Sequence, residues 1–338
     1  MRPNNVLIAA GGTGGHVFPA IATAQELKNR GCKVLFATDS RGEKYLKNSG
    51  FEYKVVSSAS PNPKKPMSML KLLIGTFQSI ALIIKFRPKA VLGFGGYPSF
   101  PPLFAARLLF KRTVLHEQNS VLGKANRLLA KLSGKVAVSF PNMKGEYVGN
   151  PVRSEITSLP MPPLDGKIHL LVTGGSQGAK LFADVIPDVI AEFKDQISIT
   201  HQVTEKELPI VRAKYQAIGV EHEVKTFFDD MPKRLADCHL LIARSGASTI
   251  FELAVAGRPA IFVPLAIAAD DHQRINAQNI LASGGGWMIA EKDFNKESLK
   301  NLLGQLIVNP EKIILASAKI KEFSKPDAAA KLADLVLN

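Results

Sequence analysis

Four places in this chain end an apolar run on glycines, and they are where chemistry can be placed. Gly11, Gly12, Gly14 and Gly15 follow the run 6–10, with Thr13 among them and His16 next. Gly95 and Gly96 follow Val91 and Leu92, and Gly174, Gly175 and Gly178 follow Leu170, Leu171 and Val172. Arg244, Ser245, Gly246 and Ala247 follow the run 240–243. A strand that passes through a glycine turn into a helix presents backbone N–H groups at the positive helix end, a ready site for an anion. One such loop is a weak signal, because glycines also simply permit a tight turn. Four of them favour a ligand that carries a diphosphate. No Gly-Lys-Ser/Thr sequence follows any of the loops, which excludes a Walker phosphate loop. The dinucleotide pattern Gly-x-Gly-x-x-Gly, started at Gly12, fails at Val17. Asp39 stands where a ribose-binding acid would sit, but one partial match disfavours a nicotinamide oxidoreductase. No Asp-x-Asp pair occurs. The expectation is therefore no cofactor and no metal, with helix N-termini and arginines neutralising the diphosphate.

Several side chains admit two readings. His16 falls at a helix start, where the positive helix end favours the neutral ring that a general base needs. Its plain alternative is a hydrogen bond that stabilises the loop. Thr249 and Glu252 have the spacing of a capping box, so Glu252 either closes a helix start or binds a ligand hydroxyl. Ser176 either starts a helix or bonds a phosphate oxygen.

The elements that must position these residues alternate strand and helix. The strands are apolar on both faces, which predicts parallel sheets covered by helices on both sides. Pro19 is expected in the first turn of the helix after the first loop. Gly11, Gly12, Thr13 and Gly15 fall in register with Gly174, Gly175, Ser176 and Gly178, a weak internal repeat. The fold class is α/β: two Rossmann-like doubly wound domains facing a cleft, with ligands at the carboxyl ends of the strands. The length of 338 residues suits two domains. The proline-rich stretch 154–163 marks the join. The expected division is 1–156 and 157–338, with the last helix free to return to the N-terminal domain.

Composition narrows the classes. The formal net charge is +14, which asks for an anionic partner: nucleotide phosphates, nucleic acid or an anionic membrane surface. Aromatic residues are only 7%, which argues against a base-stacking platform, so no nucleic-acid partner is expected. Cys32 and Cys238 lack metal-ligand spacing and make no disulfide framework. No secretory pattern opens the chain, and no uninterrupted apolar stretch reaches the ~18 residues of a spanning helix. The segment from Lys64 to Arg87 mixes apolar and basic residues, which fits an interfacial helix or loop on an anionic leaflet or, alternatively, a helix of the first domain's core.

Taken together, the motifs resemble a known family. They are residues 11–16 with Phe18 and Pro19, Gly95 to Tyr97 with Ser99 and Pro101, His116-Glu-Gln-Asn119, Gly149-Asn-Pro-Val-Arg153, residues 174–178, 227–231, Arg244 through Glu252, and Asp271-His-Gln273 with Asn276 and Ala277. Nearly the whole chain is similar to the MurG family, the UDP-N-acetylglucosamine transferases of peptidoglycan synthesis. The resemblance implies glycosyltransferase B architecture and transfer of GlcNAc, with inversion, to the muramyl 4-hydroxyl of lipid I, an undecaprenyl-diphosphate-linked acceptor. It implies His16 as the catalytic base or an acceptor contact. It implies donor contacts for Thr13, Gly14, Gly15, Asn119, Arg153, Ser176, Phe228, Ala247, Ser248, Thr249, Ile250, Phe251, Glu252 and Gln273. Glu252 would meet the ribose hydroxyls, the Phe228 backbone would border the uracil, and Tyr97 and Glu117 would lie on the acceptor side. The residues 265–269 do not align with the family pattern. The expected location is the cytoplasmic face of the inner membrane, peripheral and in contact with anionic lipid. The rival readings are another lipid-directed glycosyltransferase and a nucleotide-sugar epimerase.

Overall fold

A computed structural model describes residues 4–60, 64–156, 158–175, 179–266 and 271–338. The chain divides into two compact units, the first made of residues 1–154 and 325–338 and the second of residues 155–324.

Among the described residues, unit 1 is built on seven parallel strands. They are β1 (Asn5–Ala9), β2 (Lys33–Thr38), β3 (Glu52–Val55), β4 (Ala90–Gly93), β5 (Arg112–Glu117), β6 (Lys135–Val138) and β7 (Glu146–Tyr147). Their order across the sheet is β3-β2-β1-β4-β5-β6-β7. Its helices are α1 (Gly14–Asn29), α2 (Ser40–Leu46), α3 (Pro66–Phe86), α4 (Phe100–Leu108) and α5 (Lys124–Leu132). The alternation along β1 explains the layers. Val6 and Ile8 enter one core with Val17, Ala20, Ala24 and Leu27 of α1, whereas Leu7 enters the other with Ile83, Leu103 and Leu129 of α3, α4 and α5.

Unit 2 repeats the plan with β8 (Ile168–Thr173), β9 (Ile197–Gln202), β10 (His222–Lys225), β11 (Leu240–Ala243), β12 (Ala260–Phe262) and β13 (Gly286–Met288). Their order is β10-β9-β8-β11-β12-β13, again all parallel. Helices α6 (Lys180–Ile190), α7 (Leu208–Ile218), α8 (Met231–Asp237), α9 (Ala247–Ala256), α10 (His272–Ala282), α11 (Lys296–Val308) and α12 (Glu311–Glu322) cover it. In both sheets the chain reverses direction beside the first strand, between β1 and β4 and between β8 and β11, the switch point where doubly wound sheets bind ligands. The weak repeat of the glycine loops therefore reports a repeat of topology.

The last helix, α13 (Ala328–Leu337), belongs to unit 1. Leu332, Ala333, Leu335 and Val336 pack with Val6 and Ile8, and Arg30 Nη1 reaches Asp334 Oδ1 at 2.5 Å.

Three local expectations need correction. Helix α1 starts at Gly14, so Pro19 lies inside it rather than in its first turn, and its carbonyl accepts the Thr23 hydroxyl at 2.9 Å. Helix α9 starts at Ala247 with Gly246 as its N-cap and no side-chain cap bond. Thr249 and Glu252 thus lie within the helix, and the capping-box reading of Glu252 falls. Third, α3 is a continuous 21-residue helix with an 18-residue window of mean hydropathy 1.8, long and apolar enough to cross a membrane by length and composition. Its interruptions are polar but mostly uncharged, with Lys71 and Lys85 as its charges, so a count of unbroken apolar residues underestimates it.

One face of α3 is fixed to unit 1. Leu72, Gly75, Thr76, Ser79 and Ile83 are buried, and the polar ones point their hydroxyls back to helix carbonyls, Thr76 to Leu72 and Ser79 to Gly75. Gly75 sits so close to Ser57 that an added Cβ would lie 1.8 Å from its carbonyl oxygen, which only glycine allows. The opposite face exposes Met67, Met69, Leu70, Leu73, Ile74, Phe77 and Ile84.

Candidate functional site

At the carboxyl edge of the first sheet, the loop after β1 meets the loop after β4. Ser99 locks them together, its hydroxyl 2.8 Å from both Ala9 O and Gly95 O. Thr13 is the N-cap of α1, and Gly14, Gly15 and His16 form its first turn. His16 Nδ1 lies 3.4 Å from Thr13 Oγ1. Its ring faces Gly96, whose φ is +68° and whose added Cβ would stand 3.6 Å from the imidazole. A side chain there would be strained by its backbone, although its Cβ would make only ordinary van der Waals contact with the ring. The half-buried Tyr97 follows directly.

The first glycine loop is held from beside it by Asp39. Its Oδ1 accepts from Gly12 N at 2.8 Å and Gly42 N at 2.9 Å, and its Oδ2 pairs with Arg41 Nε at 2.9 Å. Burial raises the Asp39 carboxyl, yet these donors outweigh it and hold the group below the usual carboxylate range. Asp39 is therefore a clamp on the loop that carries Thr13 and His16. Arg153 lies over the Phe18 ring, 5.4 Å from its centroid, on the α1 side of the same edge.

The His116–Asn119 segment is mostly scaffold. His116 is fully buried, with Nε2 2.9 Å from Gly149 O and Nδ1 3.0 Å from Gln118 Nε2. These partners fix the tautomer: Nε2–H donates to the carbonyl and Nδ1 accepts from the amide. Burial lowers the imidazole to about 4 against the pull of the Gly149 carbonyl. Glu117, expected on the acceptor side, is instead buried beneath its loop. Its Oε1 accepts from Asn119 N at 2.9 Å and Asn119 Nδ2 at 3.2 Å, and its Oε2 from Gly123 N at 3.1 Å and Asn126 Nδ2 at 2.7 Å. Desolvation pushes this carboxyl up, opposed by those four donors. Both oxygens are engaged, so Glu117 shapes the loop, and Asn119, half-buried, is held in it by Glu117. Asn126 went unnoticed in the sequence, because an asparagine in a helix's first turn carries no signal of its own.

At the carboxyl edge of the second sheet, Ala247, Ser248 and Thr249 form the first turn of α9, directly after Gly246. Ile250 and Phe251, expected among the contacts, turn their side chains into the core, and Phe251 packs on Phe323 at 5.3 Å between ring centroids. Only their backbone can serve a ligand. Glu252 is half-buried and lies one turn further on. Phe228 is buried between Lys225 and Arg234, whose charges lie 5.6 and 4.9 Å from its ring centroid, which leaves its backbone as the part able to line a base. Ser176 lies outside the described residues.

Gln273, the second residue of α10, has its side chain turned to the loop after β12. Its Oε1 accepts from Leu265 N at 3.0 Å, and its carbonyl accepts the Ser245 hydroxyl at 2.8 Å. The amide Nε2 is then the group able to donate to a sugar hydroxyl. Asn276 Nδ2 donates to Ser245 O at 3.2 Å, which ties α10 to the end of β11. Among the described residues, no group of three or more His, Cys, Asp and Glu side chains gathers that could hold a metal ion. Cys32 and Cys238 are both buried free thiols.

Comparison with known proteins places these edges in context. Residues 6–138 match the glycosyltransferase family 28 N-terminal domain, and residues 169–332 match the glycosyltransferase family 28 C-terminal domain. The chain is 41% identical, over 98% of its length and 93% of the relative's, to a UDP-N-acetylglucosamine–N-acetylmuramyl-(pentapeptide) pyrophosphoryl-undecaprenol N-acetylglucosamine transferase of Rhodospirillum centenum. It is 42% identical to the protein of the same name from Sinorhizobium fredii, over 98% of this chain and 94% of that one. The crystal structure of Acinetobacter baumannii MurG superposes with a TM-score of 0.83 at 31% identity, covering 99% of both chains.

Proposed function

The chain belongs to glycosyltransferase family 28, and from that premise we propose that it transfers N-acetylglucosamine from UDP-N-acetylglucosamine to the N-acetylmuramyl group of an undecaprenyl-diphosphate-linked pentapeptide, the donor and acceptor in its relatives' names, with the muramyl 4-hydroxyl as the attacking group. The observation that carries this reading is full-length similarity to transferases of that name, in a chain whose two sheets both end in glycine loops at their switch points. An epimerase or a different lipid-directed transferase has no comparable support.

Unit 2 is the donor side. The first turn of α9 receives the nucleotide, Glu252 accepts from the ribose hydroxyls, the Phe228 backbone borders the base, and Gln273 Nε2 donates to the sugar. The second glycine loop, with Ser176, supports the diphosphate. Unit 1 is the acceptor side, with His16 as the base and Tyr97 beside it, and Thr13, Gly14, Gly15, Asn119 and Arg153 on the same edge are the residues it offers to the donor. The acceptor oxygen attacks the anomeric carbon and its proton passes to His16. The bond from that carbon to the diphosphate oxygen breaks, UDP leaves with the electron pair, and the configuration inverts. Positive helix ends stabilise the departing charge.

The direct test supplies UDP-N-acetylglucosamine and lipid I to the purified protein in chelator and follows UDP release together with a β-linked disaccharide product. Turnover in chelator is the expected result. Release only after magnesium is restored would remove the metal-free reading, and release without disaccharide would remove the transferase.

A lipid-linked acceptor also gives the exposed face of α3 a purpose. Its apolar side chains, with Lys64, Lys65, Lys71 and Lys85 nearby, suit a peripheral position on the anionic cytoplasmic leaflet, with the buried face keeping the helix in unit 1. In flotation, vesicles with anionic lipid are expected to carry the protein, and high salt to loosen it by screening. Phe77→Ser with Leu73→Ser is expected to abolish flotation while the melting temperature holds. Equal flotation of wild type on neutral and anionic vesicles would show that the charge has no part in it.

A further inference from the structure

The strand ends of unit 2 are tied together by a residue that no motif marks. Glu291 follows β13, and its two carboxylate oxygens go to two different elements. Oε1 accepts from Arg244 Nη2 at 2.5 Å, at the end of β11, and Oε2 accepts from Ala266 N at 2.7 Å, in the loop after β12. Arg244 is held on its other sides as well. Its Nη1 donates to Val263 O at 3.0 Å, and its guanidinium lies 5.1 Å from the Phe182 ring centroid in α6. The Arg244 side chain is only 11% exposed and Glu291 only 23%, so the pair is far less screened than one in open solvent.

The neighbouring amide makes this more than a structural brace. Leu265 N and Ala266 N are consecutive donors of one loop. The first is taken by Gln273 Oε1 and the second by Glu291 Oε2. The orientation of the Gln273 side chain therefore depends on a loop whose next residue Glu291 fixes. We infer that Glu291 is a positioning residue for the donor sugar: by bridging Arg244 and Ala266 it holds the 263–266 loop where Leu265 can orient Gln273. This rests on the reading of unit 2 as the donor side. The nucleoside end of the donor, at α9 and Phe228, lies outside this clamp, so the sugar and the nucleotide should respond differently when it is loosened.

The experiment compares UDP-N-acetylglucosamine with UDP by calorimetry, and measures donor KM and kcat, for the full chain and its Glu291→Ala and Glu291→Gln variants. Glu291→Ala is expected to weaken UDP-N-acetylglucosamine about tenfold, the effect of one lost polar contact, and to leave UDP within about twofold. Donor KM should rise more than kcat falls. Glu291→Gln keeps one acceptor oxygen and is expected to lose about threefold, a partial rescue that a plain packing defect would not give. If the alanine variant does not fold, the glutamine variant decides alone: unchanged UDP-N-acetylglucosamine affinity overturns the inference. Equal weakening of both ligands overturns it too, because that is general damage to unit 2. Wild-type protein that binds neither ligand overturns the donor-side reading itself, a result distinct from any variant's.

Discussion

His16→Ala is expected to lower kcat by about 10²–10⁴-fold, the contribution of a positioned general base, with donor affinity nearly unchanged. The expectation follows from placement. The ring stands in the first turn of α1, with Nδ1 toward Thr13 Oγ1 at 3.4 Å and its flank against Gly96. If Nδ1–H donates to that hydroxyl, Nε2 carries the lone pair and is the atom that takes the acceptor proton. Three comparisons sharpen the test. Thr13→Val removes the hydroxyl that sets the tautomer and should cost less than His16→Ala. Gly96→Ala strains the backbone that flanks the ring, at a φ of +68°, and should also slow turnover without touching the donor. Asp39→Asn weakens the clamp on Gly12 and should act in the same direction. Single-turnover rates with saturating donor read the chemical step. A His16→Ala protein that keeps its rate but loses acceptor affinity would reassign the ring to binding, and would leave proton removal to another group.

How much of this could be read in advance depended on whether a feature leaves a pattern along the chain. The two sheets do. Runs such as Val6, Leu7 and Ile8 are apolar on both faces because helices cover both sides, and each ends on glycines where a helix begins. Local boundaries were less legible because competing patterns coincide. Thr249 and Glu252 have capping-box spacing, yet the N-cap of α9 is Gly246, three residues before Thr249, where the backbone alone makes the turn. Tertiary roles leave no linear pattern at all. Glu117 reads as an exposed acid in a family motif, but four N–H donors from residues 119, 123 and 126 surround it only after the loop has folded over β5. Asp39 and Glu291 are the same kind of case, acids 27 and 25 residues from the loop amides they clamp. An acid whose partners are backbone amides elsewhere in the fold looks like any surface acid in sequence. Burial is what distinguishes it.

Mild acid is expected to destabilise unit 2 through a buried histidine that has no part in the chemistry. His201 is fully buried in β9, with Nδ1 2.9 Å from the Tyr215 hydroxyl and Nε2 without a partner among the described residues. Burial lowers its imidazole from 6.5 to about 3. The unfolded chain binds this proton near pH 6.5 and the folded chain does not, so stability is complete above pH 6.5 and falls as pH drops toward 3. Each pH unit well below 6.5 costs about 1.4 kcal/mol, so the loss between pH 6.5 and 4.5 is on the order of 2 kcal/mol, against a typical domain's stability of ~5–15 kcal/mol. His169, half-buried, and His239, buried, are lowered by burial and act in the same direction. The paired Glu223 and Asp230, held low by Lys225 and Arg234, lose their contribution only at lower pH. Trp287 is the chain's single tryptophan and lies in β13, so its fluorescence in urea reports this unit and not the other. Wild type should show the steep decline between pH 6.5 and 4.5. Replacing both partners, His201→Leu with Tyr215→Phe, removes the titrating ring and leaves no orphaned hydroxyl, and should flatten the slope by about 1.4 kcal/mol per pH unit. Equal slopes in the two proteins would mean that the proton is taken up elsewhere. His116 carries the corresponding liability in unit 1, where its lowered imidazole and its bond to Gly149 O predict that activity and fold fail together as pH falls toward 4.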